Sequence, residues 1–258
     1  MIDLHCHILP EVDDGARTFE EAVEMCRLAA ADGCTAMVAT PHQRRGEWWN
    51  TDRERLATAA ARLQSALAGE IQVLLGGEIR VDSELLHDLD LLPPHGGILP
   101  LAGSRYLLLE LSPAGSLREA EEVVHELSVA GWRPVLAHPE FIPWLASDLG
   151  TVAHLVGLGA ATQVTAMSVT GDFGRRPQHD AWALIEAGLV HFVASDSHRV
   201  DWRPPGLRRA FDTIAARWGE PQANRLLVDN PGAVVADHPL LPENPLSPIP
   251  STLTARAV

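Results

Sequence analysis

The sequence predicts an α/β fold on a parallel sheet, and three observations predict it. Short apolar, β-branched runs alternate with longer amphipathic stretches. The residues able to do chemistry stand just past the ends of those runs. A chain of 258 residues is also long enough to bury one sizeable core as a single domain. Strands are expected at 2–5, 35–40, 71–75, 106–111, 134–137, 162–165 and 191–194. Helical patterns lie between them at 18–32, 52–68, 117–130, 144–158 and 177–187, with 207–218 and 221–228 after the last strand. Seven strands with intervening helices close as a barrel or spread as a doubly wound sheet, and the pattern leaves both open.

Local signals support this division. Thr18-Phe19-Glu20-Glu21 reads as a capping box, and Gly33 ends the helix that it starts. No Gly-x-Gly-x-x-Gly follows the first strand, which argues against a dinucleotide-binding fold. A domain over 1–237 gives way to a tail at 238–258 with a proline every two or three residues, expected to be extended.

Composition narrows the partners. Twenty basic against 34 acidic residues give a net charge of −14, which argues against a nucleic-acid partner held on a broad basic surface. No apolar segment is long enough to insert into a membrane. The first residues form neither a basic nor an apolar leader, and the three cysteines, at 6, 26 and 34, are too few for a disulfide framework. A reducing, cytoplasmic location is expected.

The chemistry begins in "MIDLHCHILPEVDDGA". Alternation along a strand puts His5 and His7 on one face and turns Cys6 to the packing side. Asp14 follows in the next loop. Later strand ends supply His42 in "ATPH", Glu78 in "GGEIR", Glu110 in "LLLELS", His138 in "LAHPE", and Asp196 and His198 in "ASDSH". Taken singly, each is an ordinary loop or salt-bridge residue. Taken together, four carboxylates crowded at one end of a sheet repel one another unless cations neutralise them. Nitrogen and oxygen donors without thiolates suit Mn²⁺, Fe or Zn²⁺, and nine donors exceed the needs of one ion, so two or three are expected. Adjacent divalent ions clamp a phosphoryl group, which makes phosphoester hydrolysis the natural reaction.

Two competing chemistries fail on the letters. A cysteine-nucleophile phosphatase needs an arginine six positions after its cysteine, but Val12, Asp32 and Thr40 stand there. Metal amidohydrolases also begin with His-x-His, but carry a lysine at strand four and a histidine at strand six. Here Glu110 ends strand four, and "ATQVTAMS" offers no histidine.

In order and spacing these six motifs, with the following "RPP", resemble the bacterial manganese-dependent protein-tyrosine phosphatases of the PHP (polymerase-and-histidinol-phosphatase) superfamily, which are encoded with capsule or exopolysaccharide genes. The resemblance covers roughly residues 1–235. It implies a distorted (β/α)7 TIM-like barrel and a trinuclear cluster. By that resemblance His5, His7, Glu78 and Asp196 hold one ion, Glu78, Glu110 and His138 a second, and Asp14, His42 and His198 a third. It implies Mn²⁺ as the metal, phosphotyrosine on the tail of a polysaccharide-synthesis tyrosine kinase as the substrate, and Arg203 of "DWRPP" as a group near the phosphate, with Asp196 and His198 at the reacting centre.

One position departs. The family reads His-Pro-Glu-Arg-Tyr after strand five, and its arginine helps to bind phosphate; this chain has Phe141 there. Arg175 and Arg176, or Arg44 and Arg45, are the candidates to replace that guanidinium, Arg175 and Arg176 first. The alternatives to a tyrosine phosphatase are a small-metabolite phosphatase, for histidinol phosphate or a nucleotide, and a catalytically weak metal-binding protein that docks a kinase.

Overall fold

In a computed structural model, residues 1–82, 84–86, 96–146 and 148–240 are described; most of the proline-rich tail, from 241 on, lies outside them. The strands are β1 (Ile2–Cys6), β2 (Ala36–Ala39), β3 (His42–Gln43), β4 (Gln72–Leu75), β5 (Glu78–Arg80), β6 (Tyr106–Glu110), β7 (Arg133–Ala137), β8 (Ala161–Thr165) and β9 (Phe192–Ala194). They form two parallel sheets, β1-β2-β4 and β3-β5-β6-β7-β8-β9. The second and third expected strands are β2 and β4, and after a short break each is followed by a further strand, β3 and β5, outside the expected ranges. Pro41 separates β2 from β3, and Gly76-Gly77 separates β4 from β5. Each break passes the chain from one sheet to the other. A Cβ on Gly77 would lie 2.1 Å from Gln43 Oε1, so any larger residue at this crossing would displace the Gln43 amide.

Helices pack between the strands: α1 (Phe19–Ala31), α2 (Arg53–Ala66), α3 (Leu117–Val129), α4 (Pro143–Ala146), α5 (Leu149–Gly157), α6 (Ala166–Thr170), α7 (Arg175–Glu186), α8 (Arg208–Trp218), α9 (Glu220–Asn224) and α10 (Asn230–Val235). The helix expected at 144–158 is two, because the Asp148 side chain accepts from the Gly150 and Thr151 amides and starts a new one. The capping box expected at Thr18 forms by half. Thr18 accepts from the Glu21 amide, but the Glu21 carboxylate turns back to Arg17. The reciprocal box stands instead on α3, between Ser116 and Glu119.

Alternate strand residues divide the apolar core in two. Met37, Leu107, Leu109, Leu136, Val164 and Val193 join the larger cluster, with the helices. Val38, Tyr106, Leu108, Val135, Ala161 and Phe192 join a smaller one, with Val234 of α10. In β1 three residue steps from Asp3 to Cys6 match two in β2, from Met37 to Ala39. This one-residue bulge lets Leu4 join the smaller cluster while Cys6, two residues on, joins the larger.

The end of β1 is sewn to the segment after β9. The Asp196 amide donates to the His5 carbonyl (2.8 Å), and the His7 amide to the Ser197 carbonyl (2.8 Å). The buried Asp3 carboxylate accepts from the Ser195 amide (3.0 Å) and hydroxyl (2.5 Å). Cys6 is fully buried and its thiol donates to the Val38 carbonyl (3.2 Å), so it faces the packing side, as alternation predicts. Burial holds that thiol well above the usual range, in its protonated form. Cys6→Ser is expected to keep the hydrogen bond, cost about 1 kcal/mol and lower Tm by roughly 2–4 °C. Bound metal and activity should be unchanged; loss of activity with intact metal and fold would bring a thiol into the chemistry.

Candidate functional site

Every strand position from β1 to β9 that the sequence singles out delivers its side chain to one place. Among the described residues, the groups of three or more donors close enough to share a cation are made from the nine expected residues and no others. They are His7, Asp14, His42 and His198; His5, His7 and Asp196; His5, Glu78 and His138; and His42, Glu78 and Glu110. The expected second set therefore takes the form of two overlapping triads that share Glu78.

Register explains the convergence. His42 of β3 pairs with Glu78 of β5, and Arg80 with Glu110 of β6, so these side chains leave the sheet at neighbouring levels. His138 (φ 35°), directly after β7, and Asp196 (φ 51°), two residues past the end of β9, are in left-handed conformations, which turn the chain at the strand ends. Hydrogen bonds hold both turns: the His138 amide reaches the Gln163 carbonyl at 2.7 Å, and the Asp196 amide reaches His5 as above. Gly15 permits the Asp13–Asp14 loop to close over β1, since a Cβ there would sit 2.0 Å from the His7 carbonyl oxygen.

The spacing within the cluster fits a metal. His5 Nε2 and His7 Nε2 are 3.3 Å apart, and each lies 3.4–3.5 Å from Glu78 Oε2 and from Asp196 Oδ1. The His5, His7 and Asp196 atoms, 3.3–3.4 Å from one another, are close enough to share one cation, with Glu78 Oε2 beside the two imidazoles. Asp14 Oδ1 lies 3.3 Å from His42 Nε2 and 3.5 Å from His198 Nε2. Asp14 Oδ1, Glu78 Oε2 and Glu110 Oε2 are buried carboxylate oxygens without a hydrogen bond of good geometry, although imidazole nitrogens stand close to the first two. Three such oxygens from three of the nine residues suit a cation-binding cradle.

The electrostatics agree. Burial would raise the carboxyls, but the surrounding His5, His7, His42 and His138 imidazoles and Arg203 outweigh it and hold Glu78 and Asp196 well below the usual carboxylate range. Asp14 is depressed likewise by His198 and His42. Burial pushes His138 toward neutrality, yet its hydrogen bond to Glu78 and that residue's charge lift it to about 9. The acceptors are ionised at neutral pH, and protons on the imidazoles compete with a metal for them.

A second layer fixes the rings, and sequence reasoning missed most of it. Asp13 Oδ2 accepts from His7 Nδ1 (2.8 Å) and from the His42 amide (2.9 Å). Gln163 Oε1 of β8 receives His5 Nδ1 (2.8 Å). Such partners fix the tautomer that leaves Nε2 free to ligate. The signals were present: Asp13 stands beside Asp14, and Gln163 is two residues before the end of the strand that offered no histidine.

The cluster floors a cavity of about 510 Å³. Its cationic lining is Arg45 and Arg203, rather than Arg175 and Arg176. Helix α7 begins two residues earlier than expected, so Arg175 and Arg176 occupy its exposed first turn, and Arg176 pairs with Asp180 at 2.6 Å. Arg44 turns to Asp82 (3.0 Å). Arg45 contacts the His42 ring and stacks on Trp48, 5.6 Å from the ring centre. Arg203, itself left-handed (φ 58°), pairs with Asp196 Oδ2. Phe141, Ile142, Phe173, Pro177 and Leu111 form an apolar part of the wall.

Comparisons with known proteins agree with this geometry. The chain is 36% identical over 222 residues to the tyrosine-protein phosphatase YwqE of Bacillus subtilis, covering 85% of each. It is 31% identical over 245 residues to the tyrosine-protein phosphatase CpsB of Streptococcus pneumoniae, covering 92% of this chain and 99% of that one. A solved chain from a study of the crystal structures of YwqE from Bacillus subtilis and CpsB from Streptococcus pneumoniae, described as metal-dependent tyrosine phosphatases, superposes with a TM-score of 0.88 at 33% identity, over 96% of this chain and 99% of that one. A phosphotriesterase from Mycobacterium tuberculosis shares the fold alone, with a TM-score of 0.53 at 15% identity over 85% of this chain and 86% of that one. Residues 1–236 match the family described as capsular polysaccharide synthesis, CpsB/CapC, and the chain belongs to that family.

Proposed function

We propose that the chain is a metal-dependent protein-tyrosine phosphatase, hydrolysing phosphotyrosine on the tail of a tyrosine kinase of polysaccharide synthesis. The observation that carries this reading is the convergence of nine nitrogen and oxygen donors beneath a cavity that bears two guanidiniums. The reading places the protein in the cytoplasm. No described helix is long and apolar enough to cross a membrane, which accords with a substrate presented from solution. The two sheets, joined through β1 and the segment after β9, are the wall of a distorted (β/α)7 barrel whose active face is the C-terminal one.

His5, His7, Glu78 and Asp196 would hold one divalent ion; Glu78, Glu110 and His138 a second; Asp14, His42 and His198 a third. Mn²⁺ fits this mixed donor set, as do Fe and Zn²⁺. When bound, such ions supply Lewis-acid stabilisation of the phosphoryl oxygens and lower the pKa of water. The chain's own residues do the rest. Arg203 is anchored by Asp196 at the cavity edge, so its remaining donors meet the phosphoryl oxygens without reorganising. Arg45 faces them from the His42 side. Asp13 and Gln163 keep the His7 and His5 rings in the ligating tautomer. The phenolate that leaves has a pKa near 10, so it needs no dedicated acid from the chain.

Elemental analysis of protein purified without chelator should find more than one metal equivalent per chain, with turnover of a phosphotyrosine peptide that a chelator abolishes. A reproducible value at or below one with full activity would overturn the multinuclear assignment, and preference for histidinol phosphate would move the substrate to small metabolites. Asp13→Ala should weaken metal binding by about 10–100-fold, read by titration with Mn²⁺. Arg203→Ala should lower kcat/KM for the peptide by at least roughly tenfold at saturating metal. A value matching wild type would remove Arg203 from the phosphate site.

A further inference from the structure

Phe141 stands where the family arginine would, and the reading above leaves it without a role. Its surroundings suggest one. The His138 and Phe141 ring centres are 5.8 Å apart, so Phe141 lies beside a metal-ligand candidate. Phe173 meets Phe141 edge to face, at 5.4 Å and 75°. The Arg203 guanidinium lies over Phe173, 5.3 Å from its centre. An unbroken aromatic surface therefore runs from the donor cluster to the arginine at the cavity edge. Both phenylalanines line the cavity and both are partly exposed. A site built for phosphate alone gains nothing from exposing two phenyl rings to water.

We propose that Phe141 and Phe173 form an aryl clamp that grips the aromatic ring of the substrate, making Phe141 a specificity-determining residue. This rests on the tyrosine-phosphatase reading. A phosphoryl group seated over the donors has its ester oxygen about one bond from a phenyl ring, and that ring falls against the Phe141–Phe173 edge. There it finds an offset or edge-to-face partner, the arrangement aromatic pairs prefer. Arg203 serves both halves of the substrate, with donors for phosphate and a guanidinium 5.3 Å from the Phe173 ring centre. Recognition that an arginine gives through charge is here given through ring contact. The chain then discriminates against alkyl phosphates, which offer the same phosphoryl group and no ring.

The test compares two inhibitors of phosphotyrosine-peptide hydrolysis at saturating Mn²⁺: phenylphosphonate, which has the ring, and inorganic phosphate, which lacks it. Phe141→Leu keeps an apolar side chain of similar size and removes the ring. It should raise the inhibition constant of phenylphosphonate by roughly three- to tenfold, the worth of one aromatic pair. The constant for phosphate should stay within about twofold, which also reports that the metal site and fold are intact. Phe141→Tyr should restore phenylphosphonate binding, and Phe173→Leu should repeat the loss. Phe141→Arg should tighten phosphate and forfeit the ring increment. The clamp is overturned if the two constants in Phe141→Leu move together, or if neither moves. Wild type that turns over histidinol phosphate but not the phosphotyrosine peptide would instead overturn the tyrosine-phosphatase reading.

Discussion

Glu78 is a carboxylate with 1% of its side chain exposed and imidazoles on every side. His5, His7 and His42 lie 3.4, 3.5 and 2.7 Å from its Oε2, and His138 lies 2.9 Å from its Oε1. Burying an unpaired carboxylate is prohibitive, so Glu78 requires hydrogen-bond donors or a cation around it. The strands that carry its four partners must then end at one level. The parallel register His42 to Glu78, the bulge in β1 and the left-handed turn at His138 each deliver one of those partners. A left-handed non-glycine residue costs on the order of 1–3 kcal/mol, and the turns at His138 and Asp196 persist because amide hydrogen bonds on both fix them.

What was legible in the sequence was what periodicity and position control. Each of the seven expected strands corresponds to a strand, and all nine donors meet, because a parallel sheet with short connections puts every strand end on one side. The bulge at His5 was not legible, since nothing in Leu4-His5-Cys6 marks an extra residue. β3 and β5 were missed because two or three residues are too few to show alternation. Asp13 and Gln163 were missed for another reason: their roles are defined by the ring they orient, which only the fold brings near. Arg175 and Arg176 followed a strand as Arg203 does, but helix α7 starts on them and carries their side chains outward.

The thiols show the same division between local chemistry and fold. Burial pushes Cys26 up to about 12 and raises Cys34 and Cys6 as well. All three remain thiols in the core, where they pack as small apolar groups. Reactive sulfur is thus kept away from the cavity, although Cys6 stands between two of its ligands in the chain. Alternation places it 180° from the chemistry.

Charge balance at the cavity bears on how many ions it takes. With the imidazoles neutral, as ligands must be, Asp14, Glu78, Glu110 and Asp196 bring four negative charges, against which Arg45 and Arg203 bring two positive. Asp13 behind His7 and Arg80, 3.3 Å from Glu110, cancel each other. The site by itself is two charges too negative, in a protein whose net charge is already −14. A phosphate monoester near neutral pH is close to a dianion. One divalent ion would bring the cavity to neutrality and leave the substrate without net attraction. A second or third makes it positive by two or four charges, enough to draw a dianion against the field of the whole molecule. The same arithmetic shows why Phe141 is tolerable: with at least two ions the cavity attracts phosphate without a third guanidinium, and the position is open to a side chain that recognises the other half of the substrate.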